Sequence, residues 1–109
     1  MKALFAGLIV ALMSAPALAG WGAIAYNSQS ATWGEAHGHN CYADAVNAAM
    51  SACGAGCNLI NWEQNSCIAL ADGPGVWGES HGYGDSSSAT QAAENACGAG
   101  CSWRVWSCN

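Results

Sequence analysis

The chain has 109 residues, of which 52% are hydrophobic and only 8% charged, and its formal net charge is −5. Lys2 falls in a predicted signal peptide, so the remaining chain has one positive charge, Arg104, against seven Asp and Glu, which gives −6. A single cation cannot neutralise several phosphates, so the composition excludes nucleic acid as a partner and disfavours anionic membrane surfaces.

Residues 1–19 have the three parts of a secretory signal peptide. Lys2 supplies the positive start, residues 3–13 form a mostly apolar run, Pro16 breaks it, and Ala17-Leu18-Ala19 gives a small-x-small cleavage pattern. The apolar run is shorter than the roughly 20 residues that span a bilayer. The alternative is an uncleaved anchor. We predict cleavage, export to the periplasm or the medium, no stable membrane insertion afterwards, and a single acidic domain of residues 20–109.

An internal repeat with an offset of 44 residues organises this domain. Its matching segments are Ile24-Ala25 with Ile68-Ala69, residues 33–38 with 77–82, residues 53–57 with 97–101, and Trp62 with Trp106. The matches need no gap, so the predicted units are residues 21–64 and 65–108.

Each unit predicts the order strand, strand, helix, strand. The first strands cover residues 22–26 and 66–71, and the second strands are the runs that contain Trp33 and Trp77. Both helices have one face of alanines; they are predicted to begin at the N-caps Asp44 and Ser88, the latter in a capping box with Gln91, and to end near glycine C-caps. The last strands cover residues 58–62 and 102–106. We predict an α+β fold in which two tandem repeats form one antiparallel or mixed sheet with two Ala-rich helices on one face.

Seven cysteines in a small exported domain predict a disulfide framework. The first framework pairs Cys53 with Cys57, Cys97 with Cys101, and Cys67 with Cys108. A competing framework ties helix cysteines to strands, for example Cys53 to Cys67. Cys41 has Asp85 as its counterpart in the other unit, so it is the predicted free or intermolecular thiol.

A series of motifs in a fixed order extends over nearly all of the predicted domain. It consists of the segment Trp21–Tyr26, the two Trp-Gly-x-x-x-Gly runs, the Ala-rich helices that end in cysteine, Cys57, Trp62, the segment Cys67–Ala71, Cys101 and Cys108. In this order and spacing they resemble the exported bacterial domain-of-unknown-function family 4189 (DUF4189). The resemblance covers nearly all of residues 20–109 and implies export and a duplicated α+β domain. It implies no reaction, ligand or catalytic residue. Cys41 and the histidines of the tryptophan runs depart from the family pattern.

Two Glu-x-His runs are the candidate metal ligands: Glu35 with His37, and Glu79 with His81. Residues two apart on a strand point to one side, so each run presents a carboxylate and an imidazole together. If the two runs meet, the set suits zinc or another divalent ion, and His39 could add a ligand. The alternative is two surface polar pairs with no cofactor.

Six tryptophans in a small domain are the candidate ligand contacts. Exposed Trp33 and Trp77 would stack on sugar rings. The favoured alternative is that the tryptophans fill the core, because alanine helices need bulky partners from the sheet.

The sequence shows no nucleophile context such as Gly-x-Ser-x-Gly, and its Cys-x-x-x-Cys pairs differ from the Cys-x-x-Cys redox motif. The proximity of His39 to Cys41 in sequence is not by itself catalytic geometry. We therefore expect a non-enzymatic module that binds a protein or an envelope glycan. The alternative is a metal-binding protein or small metal-dependent enzyme built on the Glu-x-His runs.

Overall fold

A computed structural model describes residues 20–109, and the predicted signal peptide lies outside the described residues. The elements are β1 (Trp21–Asn27), β2 (Thr32–His39), α1 (Tyr42–Cys53), β3 (Asn58–Gln64), β4 (Cys67–Gly73), β5 (Val76–Tyr83), α2 (Ser86–Cys97) and β6 (Ser102–Cys108). The order strand, strand, helix, strand therefore occurs in each half. Neither helix of residues 20–109 is long and apolar enough to cross a membrane.

The strands form two three-stranded antiparallel sheets, with the orders β2-β1-β3 and β5-β4-β6. The prediction of one sheet is wrong. The central strands β1 and β4 are hydrogen-bonded on both sides within their own halves, and both faces of each carry apolar side chains. The halves therefore associate face to face, with β3 against β5 and β2 against β6.

Small and large side chains alternate along the central strands, so each sheet packs on a helix with one face and on the other sheet with the opposite face. The result is four layers in the order helix, sheet, sheet, helix. Ala23 and Ala25 pack with Ala45 and Ala49 of α1, and the corresponding alanines of β4 pack with α2. The alternate side chains meet between the sheets, and they are Ile24, Tyr26, Ile68, Leu70 and Val105. Each helix therefore covers the outer face of its own sheet, so the helices lie on opposite sides of the molecule rather than on one face.

The glycine after each repeated tryptophan lies directly beneath a helix. A Cβ at Gly78 would lie 2.5 Å from the backbone nitrogen of Cys97 and 2.8 Å from the carbonyl oxygen of Ala93. Gly34 is in the same position against the carbonyl of Ala49. The Trp-Gly pattern therefore marks the places where the helix backbone rests on an edge strand.

The strand pairing corrects the gap-free alignment of the two halves. Ala23 pairs with Ala36, whereas Ala69 pairs with Ser80. The equivalent residues of β2 and β5, Ala36 and Ser80, are therefore 44 positions apart in the sequence, whereas those of β1 and β4, Ala23 and Ala69, are 46 apart. The connection before β2 has four residues, 28–31, and the connection before β5 has two, 74–75. Ile24 thus corresponds in the ladders to Leu70, two residues beyond the matched Ile68.

The helices begin earlier than predicted. Their N-caps are Cys41 and Asp85, so the predicted caps Asp44 and Ser88 lie in the first turn. Asp85 Oδ1 accepts a 2.7 Å hydrogen bond from the backbone N–H of Ser88, which replaces the predicted capping box. Within residues 20–109, the side chain of Cys41 makes no capping bond. Gly54 and Gly98 are the C-caps, with φ of 100° and 105°.

One polar cluster lies between the sheets. The carboxylate of Asp72, only 4% exposed, accepts a 2.6 Å hydrogen bond from the hydroxyl of Tyr26 and an ion-paired bond from Nε of Arg104. Burial, and then the bond to Asp72, raises the pKa of Tyr26 to about 12. A buried carboxylate is stable only when it is paired, so Arg104 is committed to this cluster.

Candidate functional site

Three disulfides hold the frame: Cys53–Cys57, Cys97–Cys101 and Cys67–Cys108. These are the pairs of the first framework, and the competing pair Cys53–Cys67 does not occur among residues 20–109. Cys67 and Cys108 are direct neighbours in the β4–β6 ladder. Cys41 is exposed and is the one cysteine of this region without a disulfide.

The two Glu-x-His runs each bring their side chains together. His37 Nδ1 lies 2.8 Å from Glu35 Oε2, and His81 Nδ1 lies 3.1 Å from Glu79 Oε1. However, β2 packs against β6 and β5 against β3, so the two pairs lie at opposite edges of the molecule. Across residues 20–109, no group of three or more His, Cys, Asp or Glu side chains is placed to hold a metal ion. The convergence that the metal hypothesis requires is not found there.

An open groove of about 350 Å³ runs along the edge where β3 meets β5. We call it the β3–β5 groove. Its lining residues are Ile60, Asn61, Trp62, Glu63, Glu79 and His81. One wall therefore comes from each half of the chain, and the groove contains two carboxylates, an imidazole, an amide and an indole.

Asn61 holds the two sides of the groove together. Its Nδ2 lies 3.3 Å from the carbonyl oxygen of Ala69, 3.1 Å from that of Ser80, and 3.2 Å from Glu79 Oε1. The residue is only 4% exposed, and nothing among residues 20–109 donates a hydrogen bond to its Oδ1. A buried acceptor without a donor costs about 1–3 kcal/mol, so this amide is an unusual feature of the groove.

The imidazole of His81 lies between two carboxylates. Its hydrogen bond to Glu79 raises its pKa above the usual 6.5, and the negative charges of Glu79 and Glu63 act in the same direction. The protonation of His81 therefore depends on both walls of the groove.

The equivalent β2–β6 edge is built differently. Val105 takes the ladder position of Asn61, and Ser107 takes that of Glu63. The hydroxyl of Ser107 donates to the carbonyl of Ala36 at 3.2 Å. The side chain of Asn109 occupies the space above Gly22 and accepts a 3.0 Å hydrogen bond from the N–H of Gly38. This edge is thus filled by the protein's own side chains, whereas the β3–β5 edge is open.

A second hollow of about 310 Å³ lies on the other side of β5, towards α2. Its lining residues are Glu79, Ser80, His81, Tyr83, Ala92 and Ala96. The Glu79–His81 pair is common to both hollows, so a change in this pair affects both.

Five of the six tryptophans lie at the surface, so the expectation that they fill the core is wrong for these five; Trp21 is partly buried and packs against the core beneath α1. Trp33 and Trp77 are 40% and 42% exposed, and Trp62, Trp103 and Trp106 are exposed to a similar extent. The alanine faces of helix and sheet pack directly on each other, so they leave no space for an indole. The ring of Trp77 contacts Tyr26, at a centroid distance of 5.8 Å, and Trp33 is paired with Tyr26 in the β1–β2 ladder.

An aromatic cluster adjoins the β3–β5 groove. The ring of Tyr42, at the start of α1, makes edge contacts with Trp21 and Trp62, each at a centroid distance of 5.9 Å. Trp62 therefore belongs both to this cluster and to the groove, and it is 46% exposed.

The model of the family described as Domain of unknown function (DUF4189) matches residues 21–108. The chain belongs to this family. Comparisons with curated proteins and with solved structures give no match. The matched region of this DUF4189 domain covers both halves, all three disulfides and the whole β3–β5 groove.

The groove of this DUF4189 domain was only partly visible in its sequence. The Glu-x-His pattern predicts Glu79 and His81 as ligands of a metal, whereas no motif points to Asn61 and Glu63. A usable signal was present: Asn61 and Glu63 are replaced by Val105 and Ser107 in the second half although Trp62 and Trp106 match. In this domain the two positions at which the halves differ in polarity distinguish the open β3–β5 edge from the filled β2–β6 edge.

Proposed function

We propose that this DUF4189 domain is an exported, non-enzymatic binding module, and that the β3–β5 groove with Trp62 at its side receives an envelope glycan or a protein. Export is supported by the signal-peptide pattern of residues 1–19 and by three disulfides, which persist in oxidising compartments. The shared element order of the two halves supports an origin by duplication of one strand-strand-helix-strand unit.

The observation that carries the proposal is the contrast between the two edges. Ser107 and Asn109 fill the β2–β6 edge, while the β3–β5 edge keeps an open groove beside a half-exposed indole. Ligand sites are concave and combine apolar walls with a few placed polar groups. An indole face can stack on a sugar ring, and the carboxylates of Glu63 and Glu79 can accept bonds from hydroxyls. A glycan is therefore the first ligand to test.

The contacts of His81 support a binding role. Its ring is hydrogen-bonded to Glu79 at 3.1 Å, and both side chains line the groove, so the pair helps to shape its wall.

The test is capture by peptidoglycan and by an array of envelope glycans, using the purified protein of residues 20–109. Trp62→Ala is the test variant, and Trp106→Ala is its matched control, because the two indoles hold the same ladder position against Ala23 and Ala69 and are 46% and 43% exposed. We expect Trp62→Ala to lose most of the capture and Trp106→Ala to retain it. Equal losses in both variants, or no capture by the unmodified protein, would contradict the proposal for glycans.

A further inference from the structure

We infer that the β3–β5 groove takes a protonated amine, presented on a short apolar stem. The inference rests on the proposed function insofar as it uses the same groove, but it names a ligand chemistry that the proposed function leaves open. Three features of the groove lead to it, and they are independent of one another: its charge, its unpartnered acceptor and its apolar walls.

The groove is negatively charged, which favours a cationic ligand. Glu63 and Glu79 lie on its two walls, and Arg104, the only Lys or Arg of residues 20–109, is paired with the buried Asp72 rather than with either of them. A positive ligand group close to a carboxylate gains Coulomb energy, and the gain rises as the local dielectric constant falls. When His81 is neutral, the two carboxylates have no positive group of the protein beside them.

The side-chain oxygen of Asn61 lacks a hydrogen-bond donor, which favours a ligand that can donate. Asn61 lines the groove and is only 4% exposed. Its Oδ1 has almost no accessible surface, and nothing within residues 20–109 donates a hydrogen bond to it, so a donor reaches this oxygen only if the groove wall opens slightly. The amide orientation is set by three oxygens around Nδ2, so the oxygen cannot be exchanged for the nitrogen without losing those bonds. An ammonium group has three donors and no acceptor, which fits a groove that offers acceptors.

The groove also has apolar walls, which favour a ligand that carries methylene groups next to its positive charge. Ile60 and Trp62 line the groove together with the acidic residues. The face of an indole attracts a cation and packs on methylene groups, so Trp62 suits both parts of an alkylammonium ion. A volume of about 350 Å³ lies at the lower end of small-ligand sites, which suits a single aminoalkyl group such as a lysine side chain.

The opposite edge supplies an internal control. Glu35 and His37 repeat the Glu79–His81 pair there, but Val105 and Ser107 replace Asn61 and Glu63, and Asn109 fills the space. That edge keeps one carboxylate and the imidazole, yet lacks the second wall carboxylate and the free amide oxygen. It is therefore not expected to take an amine.

The test is a titration followed by two-dimensional NMR of the labelled protein of residues 20–109 at about pH 8, where an alkylamine is protonated and His81, although its pKa is raised, is less protonated than at neutral pH. The probes are n-butylamine and n-butanol, which have the same stem and differ in charge. We expect n-butylamine to give saturable shifts at the Trp62 indole N–H and at Asn61, and n-butanol to leave these signals unmoved. Equal responses to the two probes, or none to n-butylamine, would overturn the inference.

Variants locate the site. Glu63→Gln should weaken the binding of n-butylamine by about fivefold, as expected for one partly exposed ion pair, and Glu35→Gln should leave it unchanged. Asn61→Val, which copies the residue at the equivalent position 105, should also weaken binding; because it removes the Nδ2 hydrogen bonds across the groove, its melting temperature and amide spectrum are measured alongside. Equal effects of Glu63→Gln and Glu35→Gln would overturn the placement in this groove. If n-butylamine fails while glycan capture still depends on Trp62, only the amine inference falls.

Discussion

The hydroxyl of Tyr26 donates a 2.6 Å hydrogen bond to Oδ2 of Asp72, and this bond joins the two sheets across their buried interface. Because Asp72 is buried, loss of the donor leaves its carboxylate short of a partner. Tyr26→Phe should lower the free energy of unfolding by about 2 kcal/mol at neutral pH, measured by denaturant unfolding. Tyr83→Phe, at a position that is 38% exposed, is the control and should change little. Equal effects of the two variants would show that the bond has no special role.

The raised pKa of Tyr26 also predicts how stability changes at high pH. The folded state holds the neutral phenol up to a pKa of about 12, whereas the unfolded chain releases the proton near 10. The stabilisation is therefore complete below pH 10 and is lost as pH rises from 10 towards 12. Unfolding measured over this interval should show a decline that Tyr26→Phe lacks. A parallel decline in both proteins would contradict this assignment.

The close approach of helix and edge strand predicts a severe effect of one methyl group. Gly34→Ala and Gly78→Ala should each cost about 3 kcal/mol or more, because the new Cβ meets helix backbone that cannot move aside cheaply. Gly84→Ala is the matched control, since its Cβ would have open space. Thermal melts of the three variants test this. A melt of Gly78→Ala close to that of Gly84→Ala would mean that α2 can shift on its sheet.

The two helix starts differ by one cap, and this predicts a stabilising substitution. Asp85 caps α2, whereas Cys41 holds the same position at α1 without a side-chain bond within the described chain. Cys41→Asp should raise the free energy of unfolding by about 1 kcal/mol, and Cys41→Ala should not. Both variants remove the thiol, so a difference between their melting temperatures isolates the cap. No difference would indicate that α1 does not use the new carboxylate.

The cap on α2 also predicts acid sensitivity. The hydrogen bonds from the Ser88 segment hold the pKa of Asp85 below its usual 3.8, so its stabilisation is present above that pH and is lost as pH falls through the lowered value. Asp85→Asn keeps a capping oxygen without a titrating group. Melting temperatures of the two proteins should differ less below pH 3 than at neutral pH; a constant difference would contradict the assignment.

The disulfides should contribute unequally. Cys67–Cys108 closes a sequence separation of 41, whereas each of the other two closes only 4. In the chain-entropy model, the long bond contributes about 4 kcal/mol and a short one about 2 kcal/mol. The double variants Cys67→Ser with Cys108→Ser and Cys53→Ser with Cys57→Ser, compared by denaturant unfolding, test this order. The reverse order would point to structure in the unfolded chain that the short bonds protect.

The elements were largely predictable from the sequence because their signals are local. The alanines at helical spacing, the glycine C-caps and the alternation in residues 22–26 depend only on near neighbours in the chain. The pairing Cys67–Cys108 could also be suggested, because an extended β6 prevents Cys108 from reaching Cys101. The predicted helix starts are three residues too late, because Asp44 and Ser88 are residues typical of caps but also fit the first turn, and Cys41 at the true start of α1 carries no capping signal.

The arrangement of the sheets and the position of the tryptophans could not be predicted from local sequence patterns. Whether β1 and β4 meet edge to edge or face to face depends on contacts between residues 46 apart, such as Tyr26 with Asp72. The alanine pattern indicates a close helix contact, but it does not say whether nearby indoles lie under the helix or outside it. The groove combines Asn61 and Glu63 of one half with Glu79 and His81 of the other, so no single stretch of sequence contains it.

The engagement of Arg104 with Asp72 has a consequence for how copies of the domain meet in solution. The Arg104 side chain is half exposed, but its guanidinium is paired with the buried carboxylate of Asp72, so the six other carboxylates of residues 20–109 have no Lys or Arg to offset them. Two copies that approach with their exposed indoles towards each other also bring like charges together. This repulsion opposes clumping through the tryptophans at low ionic strength, and it weakens as added salt shortens the Debye length. The surplus of negative charge therefore opposes self-association through the exposed indoles most strongly in dilute buffer.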